Sequence, residues 1–327
     1  MAETQTVWGW MIAGYLFLGG LSAGVFCTTS ILRFASKGGF KSTLTYGAWF
    51  ATIALAVGLV CLLADVGRPF HAIILWQSFV NLSSWMAIGA WLLVAAFVIF
   101  LVTAIFSTKK ITRHLSESAQ HGWNIVLKVL AGIGIPVSLM VAIYTGILLG
   151  AAPGIPLWHT WLLPALFTVS ALDTGIAAVL IFVVTKDRDV RAHNLHRTLM
   201  WVVILLVILE VAAIAFYYVT MQSRAVSEQL SIGLIFNGSL SVPFWALVII
   251  VGLAIPLIVD VIQQFLPKSE DHENRSKARI IIPVCAAACT LIGGFTLRYV
   301  VLAAGIHHIL INPAVVEALK GSYFFFN

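Results

Sequence analysis

Charge is what this sequence has least of: Asp, Glu, Lys and Arg together make up 10% of its 327 residues, against roughly a quarter in an ordinary soluble domain. Hydrophobic residues fill 61% of the sequence, which excludes a water-soluble globule, because too little polar surface remains to cover one. Cysteine is scarce too. Cys27, Cys61, Cys285 and Cys289 all fall in apolar stretches and form no C-x-x-C pair, so no disulfide framework, iron-sulfur ligand set or zinc site is expected. Histidine is missing from helix interiors. His71, His114, His121, His159, His193, His196, His272, His307 and His308 lie in loops or at helix ends, whereas b-type haem in a membrane bundle takes imidazoles from helix interiors. Neither haem nor metal is expected. The leading MAETQT has no basic run and no small-residue cleavage signal ahead of the first apolar stretch, so that stretch is expected to be retained as a span.

What is present is apolar sequence in lengths that cross a bilayer, near 8–32, 43–64, 85–106, 122–150, 157–185, 197–220, 241–265 and 280–305. The fold expected is therefore an all-α integral membrane protein of about eight transmembrane helices. Basic residues flank every second connection: Arg33, Lys37 and Lys41; Lys109, Lys110 and Arg113; Lys186, Arg188, Arg191 and Arg197; and Lys268, Arg275, Lys277 and Arg279. These are 14 of the 19 Lys and Arg, so the net charge of +6 reports topology and not a nucleic-acid partner. By the positive-inside rule those loops are cytoplasmic and both termini lie outside. The partner of most of the surface is the lipid bilayer.

The protein is expected to form one polytopic domain, 1–327. Two long outer connections, near 66–84 and 222–240, each end in an Asn, Ser and Trp run, Asn81 to Trp85 and Asn237 to Trp245. Each is long enough for an interfacial helix. Their placement after the second and sixth helices hints at two four-helix halves, 1–121 and 122–327.

Ionisable groups inside hydrocarbon are costly unless paired or hydrated, so the few present are read one by one. Asp173 and Glu210 count to mid-membrane and are candidates for a proton path; Lys128 and Asp260 count to the cytoplasmic third and can reach the interface. The outer third gathers Tyr15, Asp65, Arg68, Tyr144, Trp158, His159 and Arg298 from five helices. Trp158 fits an interfacial aromatic belt, and Asp65 with Arg68 fits an i,i+3 pair closing a helix end. Tyr144 and Arg298 lie inside spans and need partners there. Gly14, Gly19, Gly20, Ala23 and Gly24 give the first helix a small-residue face, suited to tight helix packing or to a flat ligand. Mid-membrane acids also suit a secondary transporter, which would need matched broken helices. Pro136 and Pro164 are expected to interrupt the fourth and fifth helices, with no matching break in the eighth. A purely structural anchor is the third reading.

Five stretches carry a resemblance: Tyr15-Leu-Phe-Leu-Gly-Gly-Leu-Ser-Ala-Gly24, Ala64-Asp-Val-Gly-Arg-Pro69, Ser84-Trp-Met-Ala-Ile-Gly-Ala-Trp91, Tyr144-Thr-Gly-Ile-Leu-Leu149 followed by Pro156-Leu-Trp158, and Leu297-Arg-Tyr-Val-Val-Leu-Ala-Ala-Gly305. Together they resemble the NrfD/PsrC family, the membrane-anchor subunits of polysulfide reductase and related molybdenum oxidoreductases. The resemblance implies a quinone-reactive subunit in the bacterial cytoplasmic membrane, without a redox cofactor of its own. It implies a menaquinone or menaquinol site near the outer face, beside a ferredoxin-like, multi-cluster iron-sulfur subunit that exchanges electrons with a molybdopterin catalytic subunit. Matched by position, Tyr144 corresponds to a tyrosine that contacts the quinone carbonyl. Tyr15 stands where the family pattern has a histidine and Met11 where it has an asparagine, and a methionine cannot donate a hydrogen bond. Tyr15, Gly19, Gly20, Asp65, Arg68, Tyr144, Trp158, His159 and Arg298 are the quinone-site candidates.

Overall fold

The computed structural model describes residues 8–35, 40–65, 84–108, 117–152, 154–186, 190–265 and 278–306. They form helices α1 (Trp10–Ala35), α2 (Lys41–Asp65), α3 (Trp85–Ser107), α4 (Glu117–Gly150), α5 (Leu162–Lys186), α6 (Val190–Gln222), α7 (Val226–Phe236), α8 (Ile255–Phe265) and α9 (Ala278–Ala303). A 3-10 turn, Pro156–Trp158, precedes α5, and a π-helical segment, Pro243–Ala254, runs directly into α8. Among the described residues there is no strand. Eight helical paths are long and apolar enough to span a bilayer, the seventh being the π segment with α8, Pro243–Phe265. In hydrocarbon the helix is the open-chain form that satisfies its own backbone, so unbroken apolar runs of this length resolve into helices. The fifth begins at Leu162 and not near 157, because Pro156–Trp158 makes its own turn.

Large apolar side chains such as Val94, Val98, Ile208, Phe216 and Ile262 point outward, as lipid requires of a bundle surface. The first four spans close a ring: α1 packs on α2, α2 on α3, α3 on α4, and α4 back on α1. A second ring joins α5 to α6, α6 to α8, the π segment and α8 to α9, and α9 to α5. The rings meet mainly where α1 and α4 pack on α5, and α1 is the most enclosed span. Glycines permit the closest approaches. A Cβ on Gly24 would strike the carbonyl of Ala171 and the Cα of Gly175, and Gly252 and Gly293 face each other in the same way. The connection between the rings lies at 151–161, whereas a cut at 121/122 falls inside α4.

The proline expectations need correction. Pro136 lies within a continuous α4, and Pro164 sits in the first turn of α5, where a missing N–H costs nothing. Pro283 lies inside α9 without ending it. The matched half-helix breaks of a transporter are absent among the described residues. The irregular element is the π segment, in which the N–H of Ile255 donates to Ile250 O, five residues back. Pro256, which has no N–H to return to Gly252, stands where the π segment gives way to α8. The outer connection 222–240 does hold a short apolar helix, α7; the matching expectation for 66–84 lies outside the described residues.

The loop charges predict which face is which. A membrane-impermeant thiol reagent should label His307→Cys in intact cells and Lys109→Cys only after permeabilisation. Labelling in the reverse pattern would invert the topology.

Candidate functional site

Tyr15 of α1 and Tyr144 of α4 point into the first ring, 1% and 5% exposed. Counting inward from the non-basic ends of their helices, Trp10 and Gly150, they lie at nearly the same depth. The two phenols are near enough to act on each other electrostatically. The Tyr144 ring and hydroxyl press directly on Gly89 of α3, where any Cβ would overlap them. Gly19 faces the Tyr15 ring and Thr145, its Cβ position 4.0 Å from Tyr15 Cε2 and 3.8 Å from Thr145 Cγ2. Three helices thus build a buried place with two hydroxyls and room made by glycine. Gly89 falls within the Ser84–Trp91 stretch, but nothing in the sequence links it to Tyr144.

Other expected residues have their own partners. Trp158 is 1% exposed and not part of an interfacial belt: its indole N–H donates to Val301 O at 3.0 Å, and its ring stacks on Trp8 at 5.4 Å. The turn that carries it is fixed from the other side by Tyr217, whose hydroxyl donates to Leu157 O at 2.7 Å. His159 is exposed; its Nδ1 lies 2.8 Å from Gly150 O, at the end of α4. Asp65, half-buried, ends α2. Arg68 lies outside the described residues, so its pairing with Asp65 does too.

Arg298 is the main difference from the sequence reading. Its Cα counts to the outer third, but helical side chains lean toward their own N-terminus, which for α9 is the basic-loop end. The guanidinium therefore sits a turn deeper. It donates to Gly294 O at 2.8 Å, Ser170 Oγ at 3.1 Å and Phe167 O at 3.4 Å, and lies over the Phe17 and Phe167 rings. Gly20 of α1 makes space for it, with a Cβ position 3.0 Å from Nη2. Ser170 and Glu210 line the same pocket, and Glu210 is within electrostatic reach of Arg298 and of Asp173.

Asp173, Glu210, Ser170 and Thr174 line one closely packed polar pocket with Gly294 and Thr290. Asp173 is 1% exposed and its Oδ1 has no partner among the described residues, nor has Arg298 Nε. Arg298 thus belongs with the mid-membrane acids, and meets the first ring at Gly20 and Phe17 of α1. Sequence reasoning missed Ser170, which accepts from Arg298 and lines the pocket of the two acids. Its spacing one turn before Asp173 was the available signal. Among the described residues no group of His, Cys, Asp or Glu converges as a metal site would.

With this arrangement in view, comparison with known proteins is decisive. Residues 1–310 match the family described as "Polysulphide reductase, NrfD". The protein belongs to the NrfD family. A polysulfide reductase component of Wolinella succinogenes is 31% identical over 322 residues, covering 91% of this sequence and 94% of its own. Protein NrfD of Escherichia coli is 28% identical over 327 residues, covering 91% and 95%. A selenate reductase component of Mesobacillus selenatarsenatis is 26% identical over 199 residues, covering 53% and 47%. Two of these relatives are named as parts of reductases, and the polysulfide reductase component is matched over nearly the whole length of both proteins.

Proposed function

We propose that the protein is the quinone-reactive membrane subunit of a bacterial molybdenum/iron-sulfur reductase, oxidising menaquinol, or reducing menaquinone, near the outer face of the cytoplasmic membrane. The observation that carries this reading is the buried pair Tyr15 and Tyr144 against Gly89. Quinol oxidation releases two electrons and two protons. It needs hydrogen bonds to both ring oxygens, an apolar slot and acceptors for the protons. Tyr144 and Tyr15 supply hydroxyls, Gly89 lets the Tyr144 ring seat against α3, and Gly19 keeps the α1 face beside Tyr15 small. Asp65, at the end of α2, and the exposed His159 would take the released proton toward the water side. The electrons pass to an outer-face iron-sulfur subunit and from there to or from a molybdopterin subunit. The membrane subunit does not act on the terminal substrate by itself.

Arg298, reached through Gly20, connects that site to Asp173 and Glu210, which we assign to proton movement. Buried acids in a bundle interior are costly unless they are used. Asp173→Asn and Glu210→Gln keep shape and remove the titrating group. The variants should assemble as wild type while quinol turnover, and with it the rate of proton release, falls by about tenfold or more, read with a pH dye in liposomes carrying the complex. Wild-type proton release in both amides would make the acids structural.

A further inference from the structure

The polar lining of the Asp173–Glu210 pocket offers lone pairs and almost no hydrogens. Ser170, Asp173 and Thr174 come to it from α5, Glu210 from α6, and Thr290 and Gly294 from α9. Thr174 donates its hydroxyl hydrogen to Ser170 O at 2.7 Å, and Thr290 donates to Ala286 O at 3.3 Å. A hydroxyl has one hydrogen, so each of these oxygens has only lone pairs left to offer the pocket. Ser170 Oγ accepts from Arg298 Nη1 at 3.1 Å. Asp173 is 1% exposed, and its Oδ1 has no partner among the described residues. Water would supply the missing hydrogens, but the space is too tight to hold a water molecule. Gly252 of the π segment, pressed on Gly293 of α9, closes one wall. A proton can bridge two oxygens. A hard cation gathers a shell of them, and oxygens from three helices line this one place.

We infer that the pocket is a binding site for a sodium ion, which competes there with the proton assigned to the Asp173–Glu210 pair. The inference deepens the role proposed for that pair and rests on it for what the ion displaces. Charge selects a monovalent cation. Two carboxylates face one guanidinium, that of Arg298, which holds Ser170 and Gly294 from behind and does not itself line the pocket. One negative charge is left over, and inside hydrocarbon it calls for a counter-charge; a divalent ion would overshoot it. Size then selects among the monovalent ions. Potassium is about as large as water, whereas sodium and lithium are smaller, and the contact of Gly252 on Gly293 leaves that wall no slack. Asp173 and Glu210 supply the charged ligands, Thr174 and Thr290 the neutral ones. One sodium ion exchanges for one proton, and no electron moves.

The test uses the whole complex, purified in sodium-free choline buffer, equilibrated with radioactive sodium and counted for bound isotope. Wild type should bind sodium saturably, with the label chased by lithium and not by potassium. Thr290→Val removes a ligand hydroxyl and no titrating group, and should weaken sodium binding at least about tenfold, or roughly 1.4 kcal/mol. Asp173→Asn should abolish it. No saturable binding in wild type, or a chase by potassium equal to that by lithium, overturns the site without any variant having to assemble. Wild-type binding in assembled Thr290→Val and Asp173→Asn complexes overturns it as well. The two readings fail separately. Absent sodium binding with slowed quinol turnover in the Asp173 and Glu210 amides overturns the sodium site and leaves the proton role. Sodium binding that Asp173→Asn abolishes, at wild-type turnover in both amides, leaves the site and overturns the proton role.

Discussion

Tyr144→Phe should lower quinol-driven turnover at least about tenfold, equivalent to roughly 1.4 kcal/mol in the barrier, while activity with an artificial donor to the catalytic subunit is retained. Tyr144 lies roughly 33 Å along α4 from residue 122 at about 1.5 Å per residue, which the proposed topology puts at the outer edge of the hydrocarbon. The proposed quinone head there would lie within reach of an external redox partner. Phenylalanine keeps the ring that packs on Gly89 and removes only the donor, so assembly should survive. Gly89→Ala makes the complementary change. Its Cβ would occupy the position of the Tyr144 ring and hydroxyl, and should reduce quinol turnover by moving the phenol without deleting it. Wild-type quinol kinetics in an assembled Tyr144→Phe complex would refute the site.

Arg298→Met should cost assembly. The side chain is fully buried and holds Ser170, Gly294 and Phe167 together, and it is the cation within reach of Glu210. Methionine fills much of the volume but leaves Ser170 Oγ and the Gly294 and Phe167 carbonyls without the donor they have in the wild type. Each buried polar group left unsatisfied costs about 1–3 kcal/mol, against a protein's net stability of roughly 5–15 kcal/mol. The yield of monodisperse complex in detergent should therefore fall steeply. Arg298→Lys keeps the charge but loses the planar fork and should lie between. A Met variant with wild-type yield would show that the cluster does not depend on its cation.

These two residues also show what the sequence could and could not say. Depth along a helix is legible by counting, and it placed Tyr15, Tyr144, Asp173 and Glu210 where the helices have them. Azimuth is not legible in this protein, because spans apolar on nearly all sides give no face to orient. Tyr144 could thus be matched in depth with Tyr15 but not with Gly89, and Arg298 could not be joined to Ser170. Trp158 fitted an aromatic belt by position, and only its bond to Val301 O shows it enclosed. The small-residue face of α1 was rightly a packing surface at Gly24, against Ala171 and Gly175, and at Gly20, against Arg298. The π segment left no mark beyond Pro256, since apolar residues serve π and α geometry alike.

The central claim is that a quinone sits against Tyr15, Gly89 and Tyr144, and photolabelling tests it most directly. The purified complex is illuminated with an azido-menaquinone, digested and analysed by peptide mass, with and without excess unlabelled menaquinone. The account predicts competed label on the α1, α3 and α4 peptides that carry Tyr15, Gly89 and Tyr144. Competed label confined to other helices, or to another subunit, would contradict it.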